Sequence, residues 1–203
     1  MVRGAIACAM LLSLAACSLP EAQPDLTRFY LLTPAGGSGD ASASGRAAET
    51  RRVWLKRVEV PEFLRGKIMQ VRLAANEVKF IDTARWAEPL EAGLARVVRE
   101  NLGRAEGIEV VERVADERDL EVVVHLRHCE GVLPAGVARL AARVEILSAG
   151  VTPRKLAEEE FATEVPGWDR DDYGDLAAKL SEAAATLSAR IAAMVSDADT
   201  GGE

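Results

Sequence analysis

Two consecutive runs, Leu120 to Cys129 and Val137 to Leu147, alternate apolar and polar residues so regularly that they leave little choice but a half-wetted sheet. In the first, Leu120, Val122, Val124 and Leu126 share one side, while Glu121, His125 and Arg127 take the other. In the second, Leu140, Ala142, Val144 and Ile146 stand opposite Arg139, Arg143 and Glu145. Successive side chains of an extended strand point to opposite faces, so each run buries one face and wets the other. That is the pattern of antiparallel strands with one solvated side. A third run, Lys155 to Val165, extends the series, and residues 131 to 136 read as the loop joining the first two.

The upstream half adds shorter strands. Leu26 to Thr33 is rich in aromatic and branched residues and stops before Pro34. Arg52 to Val60 is stopped by Pro61, and its pattern places Trp54, Val58 and Val60 on one face. Ile68 to Leu73 and Glu77 to Ile81 flank Ala74-Ala75-Asn76, a hairpin signal, and Ile108 to Glu112 is a further short strand. Twice the period lengthens. Between Trp86 and Leu102, Leu90, Leu94, Val97, Val98 and Asn101 recur at helical spacing, with Pro89 in the first turn and Gly103 as the stop. From Tyr173 to Val195, Leu176, Leu180, Ala183, Leu187, Ile191 and Met194 form one stripe, and Asp172 with Asp175 makes a charged start. The order strands, helix, strands, helix predicts an α+β fold: a mainly antiparallel sheet with two helices packed on one face.

The first residues belong to something else. Arg3 followed by the apolar stretch from Ala5 to Ala16 has the charged-then-apolar layout of a secretory signal, too short for the roughly 20 residues of a membrane-spanning helix. Leu14-Ala15-Ala16 leads directly into Cys17, matching the bacterial lipobox, so residues 1–16 are expected to be a lipoprotein signal peptide and Cys17 the lipidation site. Residues 17–25 then form a lipidated tether, interrupted by Pro20 and Pro24. The eight residues after Cys17 reach at most about 26 Å at roughly 3.3 Å each, holding the folded domain, residues 26–196, close to its membrane. Residues 197–203 read as a disordered tail, and the Gly/Ser/Ala-rich stretch from Ala35 to Thr50 as a flexible loop.

Charge and cysteine usage narrow the function. The chain carries 25 basic and 32 acidic residues; without its signal it loses Arg3 and becomes more acidic still. No long basic run is present, which argues against nucleic acid as a partner and leaves membrane attachment to the acyl chains. With Cys8 in the signal and Cys17 acylated, Cys129 stands alone, expected as a small core hydrophobe.

Catalytic and metal signals are weak. His125 and His128 lie three apart on a strand, where an unbroken zigzag sends them to opposite faces and away from a shared ion. There is no G-x-S-x-G elbow, no H-E-x-x-H and no phosphate-cradling glycine loop. The glutamate run at 158–160 and the acidic residues at 169–172 read as solvated surface, and the three tryptophans as core. No catalytic residue, cofactor site or metal site is expected, and a binding or assembly role remains.

Several segments in order resemble a known family: Cys17; Phe29-Tyr30-Leu31-Leu32; Val58-Glu59-Val60-Pro61-Glu62-Phe63-Leu64-Arg65 leading into Ile68; and Arg85-Trp86-Ala87-Glu88-Pro89-Leu90 followed by Leu94-Ala95-Arg96-Val97-Val98 and Asn101-Leu102. Together they resemble the PqiC-like lipoproteins, also called ABC-type transport auxiliary lipoprotein components. The resemblance spans most of residues 17 to 102 and beyond that rests on the order of strands and helices. It implies an outer-membrane-anchored, periplasm-facing subunit of an intermembrane lipid transport system whose other parts are an MCE-domain periplasmic protein and inner-membrane transporter components. Ser18, rather than the Asp that commonly retains lipoproteins in the inner membrane, agrees with outer-membrane sorting. Because MCE proteins form rings, a homo-oligomeric ring of this subunit would match them. An envelope lipoprotein that assists outer-membrane assembly without a transporter is the alternative, and a lipid hydrolase a third reading.

Overall fold

A computed structural model describes residues 24–36, 50–113 and 116–198. Its strands are β1 (Arg28–Tyr30), β2 (Arg51–Glu59), β3 (Ile68–Ala74), β4 (Glu77–Trp86), β5 (Ile108–Val110), β6 (Leu120–Val132), β7 (Val137–Ser148) and β8 (Lys155–Pro166). Two helices, α1 (Leu90–Leu102) and α2 (Tyr173–Asp197), fall where the period lengthens. The α+β class predicted from the sequence is the observed one.

All eight strands form one mixed sheet. Its long ladders, β6 with β7 and β7 with β8, are antiparallel, as is the β3–β4 hairpin, which turns on Ala75 and Asn76. The pairings β1–β4, β2–β5, β2–β6 and β3–β6 are parallel. β6 is the hub. One of its edges carries β7 along its whole length; the other is shared, first by β2 against Leu120 to His125 and then by β3 against Gly131 and Val132.

Both helices cover the same face. α1 packs over β2 and β5, α2 over β7, β8 and β6, and the two helices touch each other. Between them and the sheet, Val53, Leu55, Leu120, Val122, Val124, Leu140, Val144 and Ile146 have no exposed surface and form one core with Leu94, Val97, Leu187 and Ile191. Asp172 caps α2, its Oδ1 accepting from the N–H groups of Gly174 (2.7 Å) and Asp175 (3.1 Å), which satisfies two otherwise orphaned donors. Trp168 seals that end: its ring lies on Gly131, where an added Cβ would come within 2.5 Å, and its Nε1–H donates to the Asp172 carbonyl. After β6 the chain turns at Gly136, whose φ of +64° suits glycine.

Several sequence expectations shift, for local reasons. β6 runs on to Val132, so only residues 133–136 turn, and β4 continues to Trp86. α1 therefore starts at Leu90, with Pro89 extended at its N-cap instead of within the first turn. Trp54 does not share a face with Val58 and Val60. A bulge at Lys56 adds a residue between Leu55 and Arg57, so Val53, Leu55 and Val58 face the core while Trp54 turns outward.

The segment after β1 crosses the seam between the helices and is tied to both. Arg96 of α1 donates to the Leu32 carbonyl (2.9 Å), Ser181 of α2 accepts from the Thr33 N–H (3.0 Å), and Asn101 of α1 accepts from the Ala35 N–H (2.9 Å). Arg104 closes the row on the Ala35 carbonyl at 2.7 Å.

Leu94, without exposed surface at the middle of α1, tests this packing. Leu94→Ala should lower unfolding free energy by about 2–5 kcal/mol in urea titration; a loss below about 0.5 kcal/mol would mean that this helix face is not the buried one.

Candidate functional site

The face of the sheet opposite the helices is where the chain presents its charged and aromatic side chains. Register fixes which residues meet there. Across β2, β6, β7 and β8 run the rows Arg57, Val123, Glu145, Glu158 and Glu59, His125, Arg143, Glu160, followed by Glu130, Arg139, Glu164. Opposite charges facing across strands stabilise such a surface, and such pairs are made, Arg139–Glu164 at 2.8 Å and Arg127–Glu160 at 2.5 Å, while Lys155 and Glu158 pair within β8 at 2.5 Å.

Two carboxylates on this face are buried. Glu121 receives Lys56 Nζ at 2.7 Å and Arg118 at 2.6 and 2.9 Å. The Arg118 guanidinium also stacks 4.4 Å from the Trp54 ring centroid, a cation–π contact. Burial by itself would raise the Glu121 carboxyl, but the hydrogen bonds and charges of Lys56 and Arg118 outweigh it and hold the group below its ordinary value of 4.5. Glu130, without exposed surface, takes a forked pair from Arg72 at 2.6 and 3.1 Å.

Both histidines lie on this face as well, against expectation. A bulge at Arg127 inserts one residue between Leu126 and His128 in the β6–β7 ladder, so His125 opposite Arg143 and His128 opposite Ala141 point the same way. Each is held by glutamate: His125 Nδ1 lies 2.7 Å from Glu59 and His128 Nδ1 3.1 Å from Glu130. Among the described residues no group of three or more His, Cys, Asp or Glu side chains is placed to hold a metal ion. Cys129 faces the core, away from both imidazoles, so a Cys–His pair does not form. Burial, then the nearby Glu130 charge, pushes its thiol up to about 12.

Trp86 and Trp168 are core, whereas Trp54 belongs to the charged face. Cys17 lies outside the described residues. At the β1–β4–β3 end the same face changes character, for Phe29, Ile68 and Phe80 stand exposed there. In the sequence Phe29 reads as a strand former, and its place on the side opposite Tyr30 and Leu32 is the signal for its exposure. At the other end of the sheet, an open cleft of about 480 Å³ is bordered by Arg51, Arg52, Arg118, Asp119 and Ser148, with Arg52 already bonded to Asp119 and Glu117. β8 pairs only with β7, which leaves its far edge a 12-residue row of backbone groups without a strand partner among the described residues.

A family model described as ABC-type transport auxiliary lipoprotein component matches residues 30–192, well past Leu102, where the resemblance legible by eye thins out. No curated protein matches the chain. Among solved structures, an uncharacterised protein superposes with TM-score 0.68 at 19% identity, covering 83% of this chain and 98% of its own. A Xanthomonas campestris protein assigned to DUF330 gives 0.66 at 18%, covering 81% and 92%. A hypothetical protein from Chlamydia trachomatis gives 0.50 at 9%, covering 73% and 98%. At these identities the likeness is one of fold.

Two measurements check the site. Because the folded Glu121 carboxyl sits below its unfolded value, the native state binds that proton less readily; the stabilisation is present above about pH 4.5 and lost as pH falls below it. Thermal unfolding should show this acid loss, and Glu121→Gln should lower the neutral-pH Tm while flattening the acid dependence. Cys129 should stay unmodified by maleimide in the native protein and react only on unfolding; rapid native labelling would contradict its burial.

Proposed function

Because the chain belongs to the ABC-type transport auxiliary lipoprotein component family, we propose that it is the outer-membrane member of an intermembrane lipid transport system. Acylation of Cys17 holds it at the periplasmic side of that membrane. The folded domain docks the far end of an MCE-domain protein that spans the periplasm from the inner-membrane transporter components. The contribution is the contact itself, completing a route for lipid and so supporting envelope integrity. The observation that carries this reading is the family match over residues 30–192. The family is defined by an auxiliary role in transport and not by an enzyme activity, and the two imidazoles are bonded to carboxylates on the opposite side of β6 from the one described cysteine. A sheet face without a helix over it and the free edge of β8 are surfaces that a protein partner can use, the latter by strand addition.

The test is co-purification of the full-length lipoprotein with the encoded MCE protein from native membranes. Cys17→Ala should abolish acyl labelling and membrane retention, while association with the partner persists when the two are mixed in detergent. A His125→Ala/His128→Ala double variant should bind as the parent does. Absence of association under every condition, or lipid turnover abolished by the histidine changes, would overturn the proposal.

A further inference from the structure

All but one of the large hydrophobic side chains found exposed among the described residues come from two short segments. Leu26, Phe29 and Leu31 belong to residues 26–31, and Phe63, Ile68 and Phe80 to residues 63–80; Val151 alone lies elsewhere. Register brings the two segments together. Phe29 of β1 and Ile68 of β3 are both partners of Arg85 of β4, so all three leave the sheet on the face opposite the helices. Gln70 follows Ile68 on that face, and its partner is Phe80. Phe29 is 64% exposed, Phe80 47% and Ile68 41%. Apolar surface gathered at one corner of an otherwise charged face marks a contact with lipid or protein.

Charge and chain length select between these. Residues 24–31 and 61–86 carry six basic side chains against four acidic, five against four once Arg72 is set aside with its partner Glu130, in a chain whose net charge is −7. A second copy would set this locally basic corner against itself, whereas an anionic phospholipid surface complements it. The described chain begins at Pro24, seven residues after Cys17. At 3.3–3.6 Å per residue those seven span at most about 25 Å, so an acyl anchor on Cys17 keeps this corner within reach of the bilayer.

We propose that the corner formed by Phe29, Ile68 and Phe80 is a second membrane contact, its rings and aliphatic chains entering the headgroup–acyl boundary of the bilayer that holds the acyl anchor. The inference rests on the reading of Cys17 as the lipid site. It fixes the domain's orientation: the β1–β4–β3 end meets lipid, and the salt-bridged β6–β7–β8 end stands away from it, where a periplasmic partner arrives.

The test uses full-length protein with acylation confirmed by mass, reconstituted in vesicles of phosphatidylethanolamine and phosphatidylglycerol. Phe29→Cys, Phe80→Cys and Val151→Cys variants each carry one reactive thiol, since Cys129 is buried and Cys17 acylated; all three replace exposed residues. Each is labelled with a polarity-sensitive fluorophore and must keep the parent Tm. Lipids brominated in their acyl chains should quench the labels at Phe29 and Phe80 several-fold more than the label at Val151. Equal quenching at the three positions in acylated protein overturns the membrane contact and leaves the lipid anchor intact. Shielding at Phe29 and Phe80 that appears only on adding the MCE partner also overturns it, assigning the corner to protein. Protein that lacks the acyl mass refutes the Cys17 reading, and the inference falls with it.

Discussion

Three strands compete for the two edges of β6, and the way they divide it governs everything else. β7 occupies one edge for twelve pairings, which leaves β2 and β3 to follow one another along the other. The sheet therefore splits into two wings, β2–β5 and β3–β4–β1, hung from one long strand. Hydrophobic burial along a single core makes this division workable. Leu120, Val122, Val124 and Leu126 sit behind the first wing and Cys129 behind the second, all buried on the helix side. An unbroken zigzag would have turned Cys129 to solvent and His128 into the core; the extra residue at Arg127 restores the inward face between the wings.

What the sequence revealed follows from what is local. The periods of β6, β7, α1 and α2 are properties of short windows, and so is the Asp172 cap, and these elements appear where the pattern puts them. The bulges at Lys56 and Arg127 are not local in that sense. Each shows only in the register against a neighbouring strand, and reading an alternation straight through it sends Trp54 and His128 to the wrong face. Glu121 was legible as outward but not as buried, since its enclosure depends on Lys56 from the bulge and Arg118 arriving from outside the strand. Parallel pairing between distant segments leaves no trace in periodicity, so the mixed character of the sheet emerges only from its connections.

The outer face consequently has two chemistries on one surface. Over β6, β7 and β8 it is a lattice of opposite charges in which exposed pairs contribute little singly but discourage unspecific apolar association. Over β1, β3 and β4 the lattice ends and aromatic and branched side chains take its place. The boundary coincides with the handover from β2 to β3 along β6, so the branching that solves the packing problem also separates the two surfaces.

The tie between residues 32–35 and both helices has a mechanical consequence. A tension entering the domain at its N-terminal end does not arrive at the core through β1 alone, whose ladder is only three residues long. It is shared at once with Arg96 and Asn101 on one helix, Arg104 in the turn just after it, and Ser181 on the other helix. For a pull along β1, the hydrogen bonds to β4 lie across the load and must give together, and the side-chain clamps behind them take up the strain before either helix can separate. The fold is thus built to be held by its leading end, as a bracket is held by its bolt.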